Sequence, residues 1–371
     1  MTTISKIDQI EVYIVKLPLV KAFETSFGVE THKEALLVKI TSDGISGWGE
    51  CVASPEPFYS YETNETAFFV IKNFLFPIIK SKKQFSIDEI LETFKRIRGH
   101  NMAKATVENA LLDLLSKKIN RPLFELLGGT KKRIMSGISI GIKEDSEELL
   151  DTIHKSVEKN YHRIKIKIKR GRDIEVLKVI RQVYPNLKLM VDANSDYTIN
   201  DIETLKRFDD YGLMMVEQPL YYDDIYFHSL LQKEMDTPIC LDESIKNLND
   251  VKVAISLGSC RIINIKQGRV GGLSASKTIS EYCQRENTKV WSGGMLETGI
   301  GRSFNIHLQT LPGFVLPGDT SETTRYFMDD IVHQPVILDK EGFISIPQGP
   351  GIGATVSLEK LNKFKIFYEK W

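Results

Sequence analysis

Apolar and polar positions divide the chain into two textures. Residues 10–17 and 34–40 are β-rich runs, the first of them expected to close at Pro18, and a turn signal follows at residues 44–50. Residues 62–80, 86–97 and 103–116 carry helical patterns; in the last, Ala105, Val107, Ala110, Leu111 and Leu114 recur near helical spacing. From Arg133 onward short β-rich runs alternate with longer helical stretches, which predicts βα units on a parallel sheet. The runs are residues 134–142, 163–168, 187–191, 213–216, 238–241, 261–265, 289–291 and, weakly, 313–316. Eight such runs leave no room for a second large sheet and predict a closed β/α barrel. Past residue 325 the rhythm is lost, and residues 331–346 read as β-hairpin material.

This pattern predicts an α/β fold in three stretches. Residues 1–130 form an α+β domain, 131–325 the barrel, and 326–371 a C-terminal segment returning to the first domain. At 371 residues, 42% hydrophobic and 26% charged, the chain has the composition of a globular protein. Its 49 basic and 49 acidic residues cancel, so bulk charge offers nothing for nucleic acid and no such partner is expected. The best apolar stretch, residues 68–79, is broken by Lys72 and Asn73 and is too short for a membrane span. Lys6, Asp8 and Glu11 stand where a signal peptide needs an apolar core, and Cys51, Cys240, Cys260 and Cys283 are scattered, so a cytoplasmic, membrane-free protein is expected.

Candidate chemistry comes from a ladder of charges. Lys167, Asp192, Glu217, Asp242 and Lys266 follow successive apolar runs at spacings of 25, 25, 25 and 24 residues. A charge inside a buried strand is costly, but at the C-terminal end of a barrel strand it faces the mouth where active sites are built. Three acids converging from the third, fourth and fifth strands cannot all stay ionised without a cation. Oxygen donors without histidine suit Mg²⁺, Mn²⁺ or another hard divalent cation rather than zinc. Lys167 and Lys266, on the second and sixth strands, would stand on opposite walls, and Lys165 shares the face of Lys167. Close ammonium groups and a divalent cation would each lower a lysine pKa and make the neutral amine available as a base. The chemistry implied is abstraction of a proton alpha to a carboxylate in a small-molecule substrate, through a metal-stabilised enediolate.

Several motifs resemble the enolase superfamily, and within its muconate-lactonizing-like subgroup the o-succinylbenzoate synthase / N-succinylamino acid racemase branch. They are Lys165-Ile-Lys167, Val191-Asp-Ala-Asn194, Val216-Glu-Gln-Pro219, Leu241-Asp-Glu-Ser244 and Asn264-Ile-Lys266. Residues 47–53, 293–302 and 317–321, with Arg325-Tyr326, extend the similarity over nearly the whole chain. The resemblance implies a modified (β/α)7β TIM-type barrel with an α+β capping domain. It implies Lys167 and Lys266 as acid/base residues, Lys165 as an auxiliary lysine, and Asp192, Glu217 and Asp242 as Mg²⁺ ligands. It places Asn194 and Glu243 near the substrate or the metal ligands, and Arg269 where it could tune Lys266. Ser139, Gly294, Met295 and Phe23 are expected substrate contacts, with residues 23–27 and 54–61 as cap loops. The family commonly assembles, so a homo-oligomer is expected.

Two reactions follow from the resemblance: dehydration of 2-succinyl-6-hydroxy-2,4-cyclohexadiene-1-carboxylate to o-succinylbenzoate, a menaquinone-pathway step, and racemisation of N-succinyl or other N-acyl amino acids. Dipeptide epimerisation, muconate-type cycloisomerisation and a non-catalytic ligand-binding barrel are the alternatives. Gly137-Ile-Ser139-Ile-Gly141 matches a nucleophile-elbow pattern, but the strand continues past the serine where that motif requires a helix.

Overall fold

The computed structural model describes residues 3–26 and 28–371. Phe27, part of one expected cap loop, lies outside the described residues.

Two long strands, Gln9–Thr25 and Gly28–Ser42, pair as an antiparallel hairpin. Ile45–Cys51 adds to one side and the C-terminal strand Lys365–Lys370 to the other, completing a four-stranded sheet. Pro18 does not close its strand. The C-terminal strand covers its neighbour only from Glu11 to Val15, so at Pro18 that side is free of a strand and the missing N–H breaks no ladder bond. The register shifts between Pro18 and Phe23, and the hairpin then runs on to a tip over the barrel. Residues 23–25 are therefore strand, not loop.

The helix Asn101–Lys118 packs across this sheet and is buried along most of its length. Ile87–Phe94 starts on a capping box, in which Ser86 Oγ accepts from Glu89 N and the Glu89 carboxylate accepts from Ser86 N. The helical pattern over residues 62–80 is real but interrupted: Asn64–Val70 passes into a π turn at Ile71–Leu75 before Phe76–Lys80.

Seven parallel strands form the second sheet: Gly137–Ile140, Arg163–Lys167, Leu189–Asp192, Val216–Glu217, Ile239–Leu241, Ile262–Ile265 and Lys289–Ser292. Each pairs with its neighbour in sequence, so the sheet curls in chain order. The weak eighth run forms no strand. Phe314 makes a single bridge to Val290 and Gly318 one to Ser136, so this segment spans the gap between the last strand and the first. Pro317 and Gly318 prevent a regular ladder there, and a Cβ at Gly318 would lie 2.1 Å from Gln309 Oε1.

Residues 331–346 do not form the expected hairpin. Phe343–Ser345 pairs with Arg133–Met135, just ahead of the barrel, and Ile344 and Ile346 pack with Ile134 and Ile306. That ribbon buries the apolar positions that a hairpin would have buried. Among the described residues no helix is long and apolar enough to cross a membrane.

Candidate active site

The two-residue period of a strand sorts the barrel interior into layers. Met190, Met215, Cys240, Ile262 and Trp291 pack together as one apolar cluster. Two residues beyond Met190, Met215 and Cys240 come Asp192, Glu217 and Asp242. The same face that buries sulfur and indole thus carries the acids one step closer to the mouth. Lys167 pairs in register with Asp192, and Asp192 with Glu217, which sets three charged side chains side by side.

These charges are almost fully buried and interlocked. Lys167 Nζ lies 2.6 Å from Asp192 Oδ2 and donates to Asn194 Oδ1 at 2.6 Å. Lys165 Nζ lies 2.6 Å from Asp319 Oδ2, 3.1 Å from Glu217 Oε2 and 3.2 Å from Asp192 Oδ2. Lys266 Nζ lies 2.8 Å from Asp242 Oδ2, and Arg269 pairs with the other oxygen of that carboxylate. Arg269 also donates to Tyr59 Oη at 2.7 Å and to the carbonyl oxygens of Ile245 and Asn264. Asn264 donates to Glu217 Oε1 at 2.7 Å, and Asn194 to Glu243 Oε1 at 2.9 Å.

Burial raises the Asp192 carboxyl, but Lys167 and Lys165 outweigh it and hold it below its usual range. Burial also opposes ionisation of Asp242, and Arg269 and Lys266 reverse that. Glu217 is pushed up to about 8, by burial and then by the charge of Asp192. Glu243 is pushed up to about 7, by burial and then by Asp242. Lys165 and Lys266 are shifted upward while the acids are their partners. Burial favours a neutral Lys266, yet Asp242 and Tyr59 outweigh it and the ammonium holds its proton more tightly than usual. Lys165 behaves alike under Asp319, Glu217 and Asp192. Acids, not fellow cations, are the nearest charges to each.

The donors suit a hard divalent cation: three buried carboxylates from adjacent strands, one of them raised by a neighbour's charge. As the side chains stand, no three Asp, Glu, His or Cys among the described residues are grouped to hold a metal ion. Lysine ammoniums lie between the acids and take up their oxygens.

A small recess opens over this layer. Lys165, Lys167 and Lys266 line it together with Phe23, Ser139, Gly294, Leu296, Arg302, Asp319 and Tyr326. The cap contributes directly. Ser26 Oγ donates to Asn194 O at 3.2 Å, and Ile142 N to Glu24 O at 3.1 Å, so the hairpin tip is fastened across the mouth. Met295 is the exception among the expected contacts. The chain reverses at Leu296 (φ 55°), Leu296 faces the recess, and Met295 packs against the core. Arg269, which as a bare sequence position could be an exposed charge, is 5% exposed.

Two residues given no role by the sequence reading belong to this network. Asp319 was visible only as part of a motif, although it follows the weak eighth run just as the other charges follow theirs. Arg163 precedes Lys165 by two residues and shares its face, so the same period would have found it. Tyr59 lay within an expected cap loop; its hydroxyl meets Lys266 at 3.0 Å.

A curled parallel barrel with acids and lysines at its strand ends, under an α+β cap, defines a class. Residues 148–361 match the enolase C-terminal domain-like family and residues 9–128 the mandelate racemase / muconate lactonizing enzyme N-terminal domain, so the chain belongs to the enolase superfamily. It is similar to an o-succinylbenzoate synthase of Geobacillus kaustophilus, 46% identical over 95% of this chain and 94% of that one. It is also similar to an N-succinylamino acid racemase of Thermus thermophilus, 40% identical over 95% of each. A solved enolase-superfamily structure from Listeria innocua covers 99% of both chains with a TM-score of 0.95 at 40% identity.

Proposed function

We propose that this enzyme abstracts the proton alpha to a carboxylate, acting as an o-succinylbenzoate synthase, an N-succinylamino acid racemase, or both. The observation that carries this reading is that Lys167 and Lys266, from the second and sixth strands, line one recess with the acids of the intervening strands beside them. The relatives of both names, at 40–46% identity over nearly full length, support it.

Enzymes of this superfamily use a divalent cation; Asp192, Glu217 and Asp242 are the residues that would hold it, with Mg²⁺ the first candidate. Bound there, it supplies positive charge to a substrate carboxylate as a second negative charge develops on it. Lys167 and Lys266 are each paired with one of these acids; losing that partner lets one of the two ammoniums release its proton to solvent while the other keeps its own. One lysine then takes the α-proton from one face. In racemisation the other delivers a proton to the opposite face. In dehydration Lys167 returns its proton to the departing hydroxyl, and water leaves.

Charge supports a dianionic substrate. Arg163, Lys165, Lys167, Lys266, Arg269 and Arg302 balance Asp192, Glu217, Asp242, Glu243, Glu297 and Asp319 when all are ionised. A divalent cation adds two positive charges to buried surroundings, and a ligand with two carboxylates restores neutrality. Both proposed substrates carry two.

The test is incubation with Mg²⁺ and N-succinyl-L-phenylalanine in D₂O, following the α-proton by NMR alongside optical rotation. Loss of both signals is expected for a racemase. Water elimination from the hydroxycyclohexadiene carboxylate is expected for a synthase. Neither reaction occurring would overturn the proposal. Asp242→Asn should weaken Mg²⁺ binding by roughly tenfold or more in calorimetry; unchanged affinity would remove Asp242 from the ligand set.

A further inference from the structure

Lys165 is placed between two sets of acids. Asp192 and Glu217, from the third and fourth strands, lie on one side of its strand. Asp319, from the segment that closes the barrel at the eighth position, lies on the other and makes the shortest contact, 2.6 Å against 3.2 and 3.1 Å. Asp319 is itself anchored. Its Oδ1 lies 2.8 Å from Arg163 Nη2, and that guanidinium donates to Pro317 O at 3.0 Å. The Arg163 guanidinium lies 4.7 Å from the centre of the Trp291 ring, and Lys165 Nζ lies 5.0 Å from it. The first barrel strand makes room for this assembly: a Cβ at Gly137 would lie 2.5 Å from Arg163 Nη2. Arg163 is 1% exposed and Lys165 2%, so neither can exchange its partner for water.

An ammonium at this position competes with any cation for Asp192 and Glu217. We infer that Asp319, clamped by Arg163, is a positioning residue that draws Lys165 toward the eighth position and weakens its hold on Asp192 and Glu217, so that a divalent cation can displace it there. This rests on the cation site proposed above. With Asp319 neutral, Lys165 would be left with those two carboxylates as its ion-pair partners among the described residues and would bind them in the cation's place.

The experiment is calorimetric titration of the full, metal-stripped chain with Mg²⁺, and with Mn²⁺ as a second probe, in the absence of substrate. Asp319→Asn should weaken binding by about 10–100-fold. Lys165→Met should bind at least as tightly as the unaltered protein, because one competing ammonium is gone. In that background Asp319→Asn should change affinity by less than roughly twofold, since the two residues act as one unit. That loss of effect separates positioning from a purely structural role, which would weaken binding in both backgrounds. Should Asp319→Asn fail to fold with Arg163 left unpaired, Arg163→Met combined with Asp319→Asn removes both buried charges and carries the same expected loss. Wild-type affinity in Asp319→Asn, or an equal loss with and without Lys165, would overturn the inference while leaving the cation site standing. Failure of the unaltered protein to bind either ion would overturn the cation site and the inference together.

Discussion

Lys266→Met is expected to abolish racemisation of N-succinyl-phenylalanine while leaving α-proton exchange in one enantiomer only. Lys167→Met should leave exchange in the opposite enantiomer. In the two-base proposal each lysine reaches the substrate from one wall, so its loss removes proton transfer on one face, by roughly 10²–10⁴-fold. Both proteins should fold. Asp242 keeps Arg269 when Lys266 is lost, and Asp192 keeps Lys165 when Lys167 is lost, so no buried carboxylate is stranded without a cation. Methionine also fills most of the volume of the lysine stem. NMR in D₂O on each enantiomer, with polarimetry on the same samples, reads both effects. Full racemisation by either variant would eliminate the two-base reading. For dehydration the two variants should differ: Lys167→Met stops the reaction, whereas Lys266→Met slows it, because only Lys167 is asked to move the proton.

The second large effect is on stability. Gly49→Ala should lower the unfolding free energy by about 3 kcal/mol, read as a lower urea midpoint. The helix Asn101–Lys118 lies so close to the sheet at this point that a Cβ on Gly49 would stand 2.1 Å from Thr106 O and 3.0 Å from Ala110 N. Those atoms belong to a buried helix backbone and cannot rotate away as a side chain could. Gly47 shows the same approach one pleat along, with Ala110 O at 2.1 Å. The damage should reach the site as well. Asn109 on this helix donates to Gln267, the neighbour of Lys266, and Glu108 accepts from Ser274 N. A folded Gly49→Ala protein with an unchanged urea midpoint would contradict the close approach.

Much of this was legible in the chain before any coordinates. The βα period placed Lys167, Asp192, Glu217, Asp242 and Lys266 about one unit apart, and a parallel barrel turns equal spacing into equal height. The period of two also foretold that Lys165 and Lys167 share a face. Pro18 was misread because its cost depends on whether a neighbouring strand needs its N–H, and that neighbour comes from residues 365–370, at the far end of the chain. The carboxylate partners of Lys165 and Lys266 were not visible in the spacing for a similar reason. The folded neighbours nearest Lys165 and Lys266 are carboxylates, one of them Asp319 from beyond the last regular strand.

The chain alone therefore determined the architecture and the kinds of groups at the mouth, because local periodicity and burial decide which residues end strands and which side they face. Tertiary structure decided which group meets which. The pairing of Lys165 with Asp319, the arrival of Tyr59 on Lys266, and the fastening of the hairpin tip over Asn194 all depend on ring closure and on the seating of the cap. Such contacts join residues more than 150 positions apart, and their short range leaves no periodic trace in the sequence.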